Sequence, residues 1–223
     1  MATAPEEKLI EKGEVWINGT LATMGTKVMP GDTVMVHHTT ITPCQKEYLL
    51  AFHKPAGIVC TTSKIDKNNV IDYLNFPERI YPVGRLDKES TGLLLLTNNG
   101  QLMDDILRGS NYHEKEYIVH VNKPITDSVL QAMAQGVPIL DTITRPCKIR
   151  RMGKDCFYIT LTQGLNRQIR RMCEYFDYRV TSLKRIRIMN IELGSLPVGK
   201  WRELTPSEIK TLKNLAQNKG EAE

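Results

Sequence analysis

Residues 84–100 have the sequence GRLDKESTGLLLLTNNG. The first half of this stretch is a charged loop, and the four leucines at 93–96 that follow it have the composition of a fully buried strand. The asparagines and glycine at 98–100 then predict a turn. We therefore expect Arg85 and Asp87, which lie in the loop, to sit beside the protein core rather than far out in solvent.

From residue 43 onward the chain combines short strands with short helices. The predicted strands are 47–52, 92–97, 116–121, 142–151, 156–163 and 179–191. The predicted helices are 69–75, 101–108, a helix to 135 after an N-cap at Thr126, 166–176, and one that starts at the capping box Thr205-Pro206-Ser207-Glu208. This alternation favours an α+β domain with a mixed, mainly antiparallel central sheet flanked by helices.

Residues 1–42 predict a smaller unit of a different kind. A short helix is expected from Pro5 to about residue 12, followed by strands at 14–17 and 33–36. Turns at Asn18-Gly19 and Pro30-Gly31 separate these strands. The unit is too small to fold robustly alone.

The composition excludes several classes of protein. With 223 residues, 41% apolar and 25% charged, the chain can form a sizeable core and is not expected to be disordered. No apolar run approaches the roughly 20 residues of a membrane-spanning helix, and no signal peptide is predicted at the N-terminus. The five cysteines include no Cys-x-x-Cys pair and no nearby metal-ligand histidine. We expect a soluble cytoplasmic protein with reduced thiols, no membrane contact and no metal site.

The positive charge is concentrated in one segment. The net charge is +5, but residues 143–187 hold 12 lysines and arginines against three acids, whereas the remaining residues hold 18 basic and 22 acidic groups. A basic segment on a mildly acidic body is typical of a protein that binds a polyanion, nucleic acid before membrane. The alternative is that these long basic side chains only cover a solvated face.

Asp87 is the first candidate for chemistry. A carboxylate beside the core can serve as a nucleophile or as a base. The alternative, which local geometry alone favours, is an aspartate that caps its own turn or pairs with Arg85.

Tyr117 lies at the start of a predicted strand, in the segment HEKEY at 113–117. It can be a core aromatic whose hydroxyl has a partner, or a platform on which an extruded base stacks. Core packing is the simpler of the two interpretations.

A predicted helix carries Arg167, Arg170 and Arg171. Helical spacing places at least two of these guanidinium groups on one face, an arrangement that suits phosphates. The alternative is surface ion pairing with Glu174 and Asp177.

These segments together resemble a known family, the RsuA-type ribosomal pseudouridine synthases. The resemblance rests on three segments in the expected order and spacing: 84–100, 115–117 (KEY) and 166–172 (NRQIRRM). It extends over about residues 47–213. Within the family the chain is most similar to the large-subunit branch, the pseudouridine synthase F type, through LNRQ at 165–168 and RIMN at 187–190.

The resemblance implies a pseudouridine synthase fold and an isomerase that converts a specific uridine of 23S ribosomal RNA to pseudouridine. It implies RNA as the partner and no cofactor or metal. A uridine in a tRNA, or a catalytically silent RNA-binding protein of ribosome assembly, are the alternatives. The oligomeric state is not readable from the sequence, and a monomer is expected.

The resemblance also assigns roles to individual residues. Asp87 matches the catalytic aspartate, and an adjacent arginine favours the charged form of such a carboxylate. Tyr117 matches the aromatic residue that packs against the flipped uracil and offsets part of its lost stacking. The expected substrate-binding residues are Arg85, Tyr117 and Arg170, of which Arg170 pairs with the aspartate. The expected RNA contacts are Arg167, Arg171 and Lys115.

Residues 1–42 resemble the second half of an S4 RNA-binding domain, at 6–13 and 15–19. The first S4 helix, with its leading basic residues, is not matched. This stretch is therefore either a truncated S4 unit or a degenerate one. We expect a partial S4-like RNA-binding unit at 1–42 and a catalytic domain at 43–223.

Overall fold

The computed structural model describes residues 5–29, 31–41, 46–63, 66–108 and 112–217. Four predicted features lie outside these ranges: the boundary at residues 42 and 43, Pro30 of the second turn, Cys44, and the tail at 219–223. The chain divides into one unit of residues 1–46 and a second of residues 47–223. Within the described residues, no helix has both the length and the apolar character needed to cross a membrane.

The first unit contains one helix and a small antiparallel sheet. Its elements are α1 (Pro5–Glu11), β1 (Val15–Ile17), β2 (Thr20–Leu21), β3 (Val34–Val36) and β4 (Thr39–Ile41). The strand order is β2-β1-β3-β4. Asn18 and Gly19 form the two-residue turn between β1 and β2, both with positive φ (50° and 79°). This conformation explains why Asn-Gly occurs there.

The second unit is built on a nine-stranded sheet. Seven of its strands follow the order β11-β12-β8-β13-β7-β5-β15, while β14 pairs with β13 and β6 pairs with β7. These strands are β5 (Leu49–Lys54), β6 (Tyr81–Val83), β7 (Thr91–Thr97), β8 (Lys115–Val121), β11 (Lys148–Arg151), β12 (Cys156–Leu161), β13 (Val180–Ile188), β14 (Ile191–Glu192) and β15 (Trp201–Glu203). A separate hairpin is formed by β9 (Pro138–Ile139) and β10 (Thr142–Ile143). Only β7 and β13 run parallel among the described pairs of the large sheet, so the predicted α+β fold with a mixed, mainly antiparallel sheet is confirmed.

Helices cover the two faces of this sheet. They are α2 (Val70–Leu74), α3 (Gly100–Leu107), α4 (Asp127–Gln135), α5 (Gln168–Tyr175) and α6 (Pro206–Gln217). Residues of α2, α4 and α5 share one buried cluster with Phe52, Leu94 and Phe157. Residues of α3 and α6 share a second cluster with Ala51 and Leu93. Because adjacent residues of a strand point to opposite faces, the leucine run at 93–96 contributes to both clusters.

The predicted helix starts are confirmed at two sites. The Thr126 hydroxyl accepts the N–H of Val129 at 3.3 Å, as an N-cap should. At α6 the box is reciprocal, because Thr205 N–H donates to Glu208 at 2.8 Å and Glu208 N–H donates to the Thr205 hydroxyl at 3.3 Å. Hydrogen bonds from Arg202, together with those from Thr205, lower the pKa of Glu208 to about 2.

Several predicted boundaries differ from the structure. The strand expected at 142–151 is divided into β10 and β11, which belong to different sheets. The helix expected at 166–176 starts at Gln168, because Arg167 has a left-handed backbone with φ 50° and serves as the N-cap residue. The strand expected to stop at Phe52 continues to Lys54, whose side chain is fully buried among carbonyl oxygens. The long strand expected at 179–191 breaks after Ile188, because Met189 turns with φ 51°.

The strand register places three residues in a row across the sheet. Gly92 of β7 pairs with Arg185 of β13, and Arg185 pairs with Tyr117 of β8. The charged loop that carries Asp87 enters β7 immediately before Gly92. The fold therefore brings the predicted catalytic loop beside the predicted aromatic platform.

Candidate active site

The loop that carries Asp87 is fixed on both sides of that residue. Leu86 is buried, and its N–H donates to Cys60 Sγ at 3.3 Å. Ser90 is fully buried, and its N–H donates to the Asp87 carbonyl at 3.0 Å. The Asp87 side chain is 29% exposed. A rigid loop thus presents an accessible carboxylate.

Two arginines of the α5 region approach this carboxylate. Arg170 Nε lies 3.6 Å from Asp87 Oδ2, and Arg167 Nη1 lies 3.9 Å from the same oxygen. Arg167 also lies 3.4 Å from Glu89 Oε2. The pKa of Glu89 is lowered by its own backbone N–H and, to a smaller extent, by Arg167 and Arg170. The expected pairing of Arg170 with Asp87 is present, whereas Arg85 is exposed and the ion pairs described for Asp87 are with the α5 region.

The two terminal nitrogens of Arg170 donate to neutral acceptors. Its Nη2 donates to the Ser90 hydroxyl at 3.3 Å, and its Nη1 donates to the Val180 carbonyl at 3.4 Å. Its side chain is only 11% exposed. Among the described residues, its Nε makes no hydrogen bond and faces Asp87 across the 3.6 Å gap. This edge of the guanidinium group is therefore directed at the carboxylate.

Lys54, which was not predicted as a site residue, donates hydrogen bonds to the same loop. Its ammonium group donates to the carbonyls of Pro55 at 2.8 Å, Ser90 at 2.9 Å and Lys88 at 3.3 Å. Burial lowers the pKa of Lys54, while the nearby Asp87 carboxylate acts in the opposite direction. Lys54 ends β5 after the apolar residues 49–52 and His53, and no local pattern in the sequence marks its contacts with the Asp87 loop.

Tyr117 is 9% exposed and belongs to the larger buried cluster. The Arg185 guanidinium lies 6.0 Å from the centre of its ring. Arg185 is itself buried, donates to the Leu93 carbonyl at 2.7 Å and reaches the Arg85 carbonyl at 3.5 Å. The structure thus places Tyr117 at the boundary between the core and the Asp87 loop.

The other two predicted RNA contacts, Arg171 and Lys115, already form hydrogen bonds within the protein. Arg171 folds back onto Asn166, donating to its carbonyl at 3.0 Å and its side-chain oxygen at 3.2 Å. Lys115 is partly buried at the start of β8, and its ammonium group donates to the His113 carbonyl at 3.2 Å. Burial, with a smaller contribution from Arg185, lowers the pKa of Lys115 to about 8. Neither ion pair expected with Glu174 or Asp177 is among those of the described residues.

The basic segment 143–187 does not form one free surface. Arg187 pairs with Glu114 at 2.9 Å and with Glu116 at 3.0 Å. Arg151 pairs with Asp127 at 2.7 Å. These acids lie outside the segment, so the local charge sum overstates the charge that a polyanion can reach. From this segment, Arg167 and Arg170 of the α5 region form ion pairs with Asp87.

These contacts define what the site can do chemically. A partly exposed carboxylate faces two guanidinium groups, on a loop fixed by buried hydrogen bonds. Such a carboxylate can act as a nucleophile or as a base on a group placed against it. The surrounding arginines suit a substrate that carries phosphates.

The chain is similar to known proteins of one family. The family model described as RNA pseudouridylate synthase matches residues 48–175. The chain is 50% identical over 214 residues to the dual-specificity RNA pseudouridine synthase RluF of Escherichia coli strain K12, covering 95% of this chain and 74% of the relative. It is 34% identical over 222 residues to the ribosomal large subunit pseudouridine synthase B of Bacillus subtilis, covering 95% of this chain and 90% of that protein.

A solved structure shows the same architecture. The match, described as the crystal structure of pseudouridylate synthase, has a TM-score of 0.71 and 29% sequence identity. It covers 92% of this chain and 91% of that chain. The similarity therefore extends over nearly all of both molecules.

Proposed function

The chain belongs to the RsuA-type family of RNA pseudouridine synthases and is an isomerase, and from this membership we propose that it converts a specific uridine of 23S ribosomal RNA to pseudouridine. The observation that supports the site assignment is the accessible Asp87 carboxylate near Arg170 and Arg167, at 3.6 and 3.9 Å. The reaction takes place in the cytoplasm, on RNA of the large ribosomal subunit.

The chemistry needs no co-reactant. The N1–C1′ bond of the uridine breaks, the base turns, and a C5–C1′ bond forms. The proton on C5 is lost and N1 gains one, so atoms and electrons balance within the nucleotide. The base must leave its stack for this rotation, and Tyr117 is the aromatic side chain that supports it. Asp87 attacks C1′ or removes the 2′ proton, and both roles are open to a carboxylate on this loop.

The ribosomal target is supported by the relatives. The Bacillus subtilis protein, which is similar over almost its whole length, is named for the large ribosomal subunit. A tRNA uridine, the alternative from the sequence, is not favoured. A silent RNA-binding protein is also not favoured, because the aspartate, tyrosine and arginine expected of an active enzyme are all present.

Residues 1–42 are proposed to act as a partial S4-like RNA-binding unit. Lys8 lies in the last turn of α1 and Lys12 directly follows that helix, and both are exposed. Lys12 N–H still donates to the Lys8 carbonyl at 3.1 Å, so the helical geometry continues to this residue. Two lysines four residues apart in this geometry lie on one side and can contact the RNA backbone.

The test is pseudouridine mapping on defined RNAs. The purified protein is incubated with transcribed 23S RNA and, separately, with transcribed tRNAs, and pseudouridine is located by mass spectrometry of RNA fragments. We expect a single modified uridine in 23S RNA. Modification of tRNA alone would contradict the ribosomal target, and no product on either RNA would contradict the proposed function.

Asp87→Asn is the matched variant for the catalytic assignment. It should keep the fold and abolish product, a loss of many powers of ten in rate. Asp141→Asn removes an exposed carboxylate from the turn between β9 and β10 and should retain full activity. Near wild-type turnover by Asp87→Asn would remove this residue from the mechanism.

A further inference from the structure

We propose that the Ser90 hydroxyl is a positioning group for catalysis, which orients the Arg170 guanidinium so that its Nε edge faces Asp87. This inference rests on the proposed role of Asp87. It adds a residue outside the predicted site and states through which contact that residue acts.

Ser90 contacts Asp87, Lys54 and Arg170, and it uses a different atom for each contact. Its N–H donates to the Asp87 carbonyl at 3.0 Å. Its carbonyl accepts from Lys54 Nζ at 2.9 Å. Its hydroxyl accepts from Arg170 Nη2 at 3.3 Å. The residue has no exposed surface, so bulk water does not compete for any of these contacts.

The hydroxyl contact fixes the direction of a planar group. A guanidinium presents its N–H donors in a rigid fork, so holding the two terminal nitrogens also sets where Nε points. In Arg170 the terminal nitrogens are held by the Ser90 hydroxyl and by the Val180 carbonyl at 3.4 Å. Nε then faces Asp87 Oδ2 at 3.6 Å without a hydrogen bond among the described residues. Without the Ser90 oxygen, only one of these two anchors remains.

Two of the three contacts of Ser90 are made by its backbone, so a substitution can remove the hydroxyl contact alone. Substitution at this position leaves the N–H and carbonyl in place, so the bonds to Asp87 and Lys54 persist. Ser90→Ala removes only the hydroxyl. Ser90→Thr restores it, and Ser90→Cys fills the same space with sulfur, a weaker acceptor.

The measurements are kcat, KM for the RNA, and melting temperature. For Ser90→Ala we expect kcat to fall about 10- to 100-fold, because a small misplacement of a catalytic contact has an effect of that size. KM and melting temperature should change little. Ser90→Cys should lose activity similarly, and Ser90→Thr should recover most of it.

A control variant separates this role from general packing. Thr97 at the other end of β7 is also buried, and its hydroxyl accepts the Asn99 N–H at 3.0 Å. Thr97→Val should change melting temperature more than kcat. Equal kcat losses in Ser90→Ala and Thr97→Val would overturn the proposal, as would full activity of Ser90→Ala or of Ser90→Cys.

A double substitution tests whether Ser90 acts through Arg170. In an Arg170→Lys background the forked donor is absent, so adding Ser90→Ala should cost clearly less than it does alone. Fully additive losses would show that Ser90 acts by another route. An inactive wild-type protein would instead contradict the proposed function, because every ratio here is taken to wild-type activity.

Discussion

Gly92 and Arg185 lie in backbone contact at the point where β7 and β13 run side by side. A methyl group on Gly92 would lie 2.2 Å from the Arg185 carbonyl oxygen and 2.5 Å from its nitrogen. Gly92 also has a φ of 108°, which side-chain-bearing residues rarely adopt. The glycine lets the two strands approach each other closely. Arg185 then lies next to the Asp87 loop, where its Nη1 reaches the Arg85 carbonyl.

Gly92→Ala should therefore destabilise the protein strongly. We expect a loss of about 3 kcal/mol in the free energy of unfolding, from backbone strain and steric overlap together. Gly100→Ala, at the first position of α3 where nothing lies within 4 Å, should be neutral or slightly stabilising. Urea unfolding of both variants gives the comparison, and equal stabilities would show that the strands can separate at no cost.

Lys115 predicts a dependence of stability on pH. Its pKa is lowered from 10.5 to about 8, chiefly by burial and then by Arg185. Below pH 8 both the folded and unfolded states are protonated, and the folded state bears the full cost of the buried charge. Between about pH 8 and 10.5 the unfolded state binds more protons, so stability rises with pH across that window.

Lys115→Met removes this titration. The variant should be more stable than wild type at pH 7 by an amount on the order of 3 kcal/mol, at about 1.4 kcal/mol for each pKa unit. That advantage should shrink as the pH approaches 10. Lys154→Met, at an exposed site, is the control. Parallel stability curves for wild type and Lys115→Met would show that the ammonium group is solvated in the folded protein.

Local sequence was sufficient for most of the fold. The capping residues Thr126 and Thr205, the turn at Asn18-Gly19 and the leucine run at 93–96 each determine their own conformation through nearest-neighbour chemistry. The short strands β6 and β15 were not predicted, and β14 was not separated from the long strand expected at 179–191. Each has only two or three residues, too few for a periodic pattern, and is defined by its partner strand.

The site was partly predictable for the same reason. Asp87 stands in a charged loop before a buried strand, and that loop can be recognised from its own residues. Lys54, Ser90 and Arg185 could not be found this way, because their role depends on pairing between distant strands. Lys54 lies 36 residues before Ser90, whose carbonyl it binds, and Arg185 lies 92 residues after Leu93, whose carbonyl it binds.

RNA affinity should depend on both units of the chain. Replacing Arg167 and Arg171 by glutamine should weaken binding and flatten its salt dependence, since each duplex phosphate that a cation neutralises contributes about 0.9 to the log–log slope. Because Arg171 is held by Asn166, Arg167 should account for the larger share.

The same titration tests the S4-like unit. Lys8→Gln with Lys12→Gln should lower the slope independently of the α5 arginines, and Lys210→Gln on the exposed side of α6 is the control. The measurement is fluorescence anisotropy of labelled RNA over a range of KCl concentrations. A slope unchanged by the arginine pair would mean that those residues only cover a solvated face, and a slope unchanged by the lysine pair would remove RNA binding from the α1 region.

Tyr117 gives the sharpest separation of a core role from a platform role. Tyr117→Phe keeps the ring, so stability and RNA binding should stay close to wild type, although a proton-transfer step can slow. Tyr117→Leu removes a stacking partner worth about 1–3 kcal/mol, and turnover should collapse. The same change also removes packing contacts at a nearly buried position. Its effect on melting temperature therefore needs a matched control.

Phe157 on the neighbouring strand provides that control. It is fully buried in the same cluster as Tyr117, and its strand β12 pairs directly with β8. Phe157→Leu removes a buried ring of similar size and should lower the melting temperature by several degrees, with activity falling only as far as the folded fraction does. If Tyr117 is a platform, Tyr117→Leu must lose far more activity than Phe157→Leu at a comparable loss of melting temperature. If the two variants show the same ratio of activity to stability, Tyr117 contributes through core packing alone.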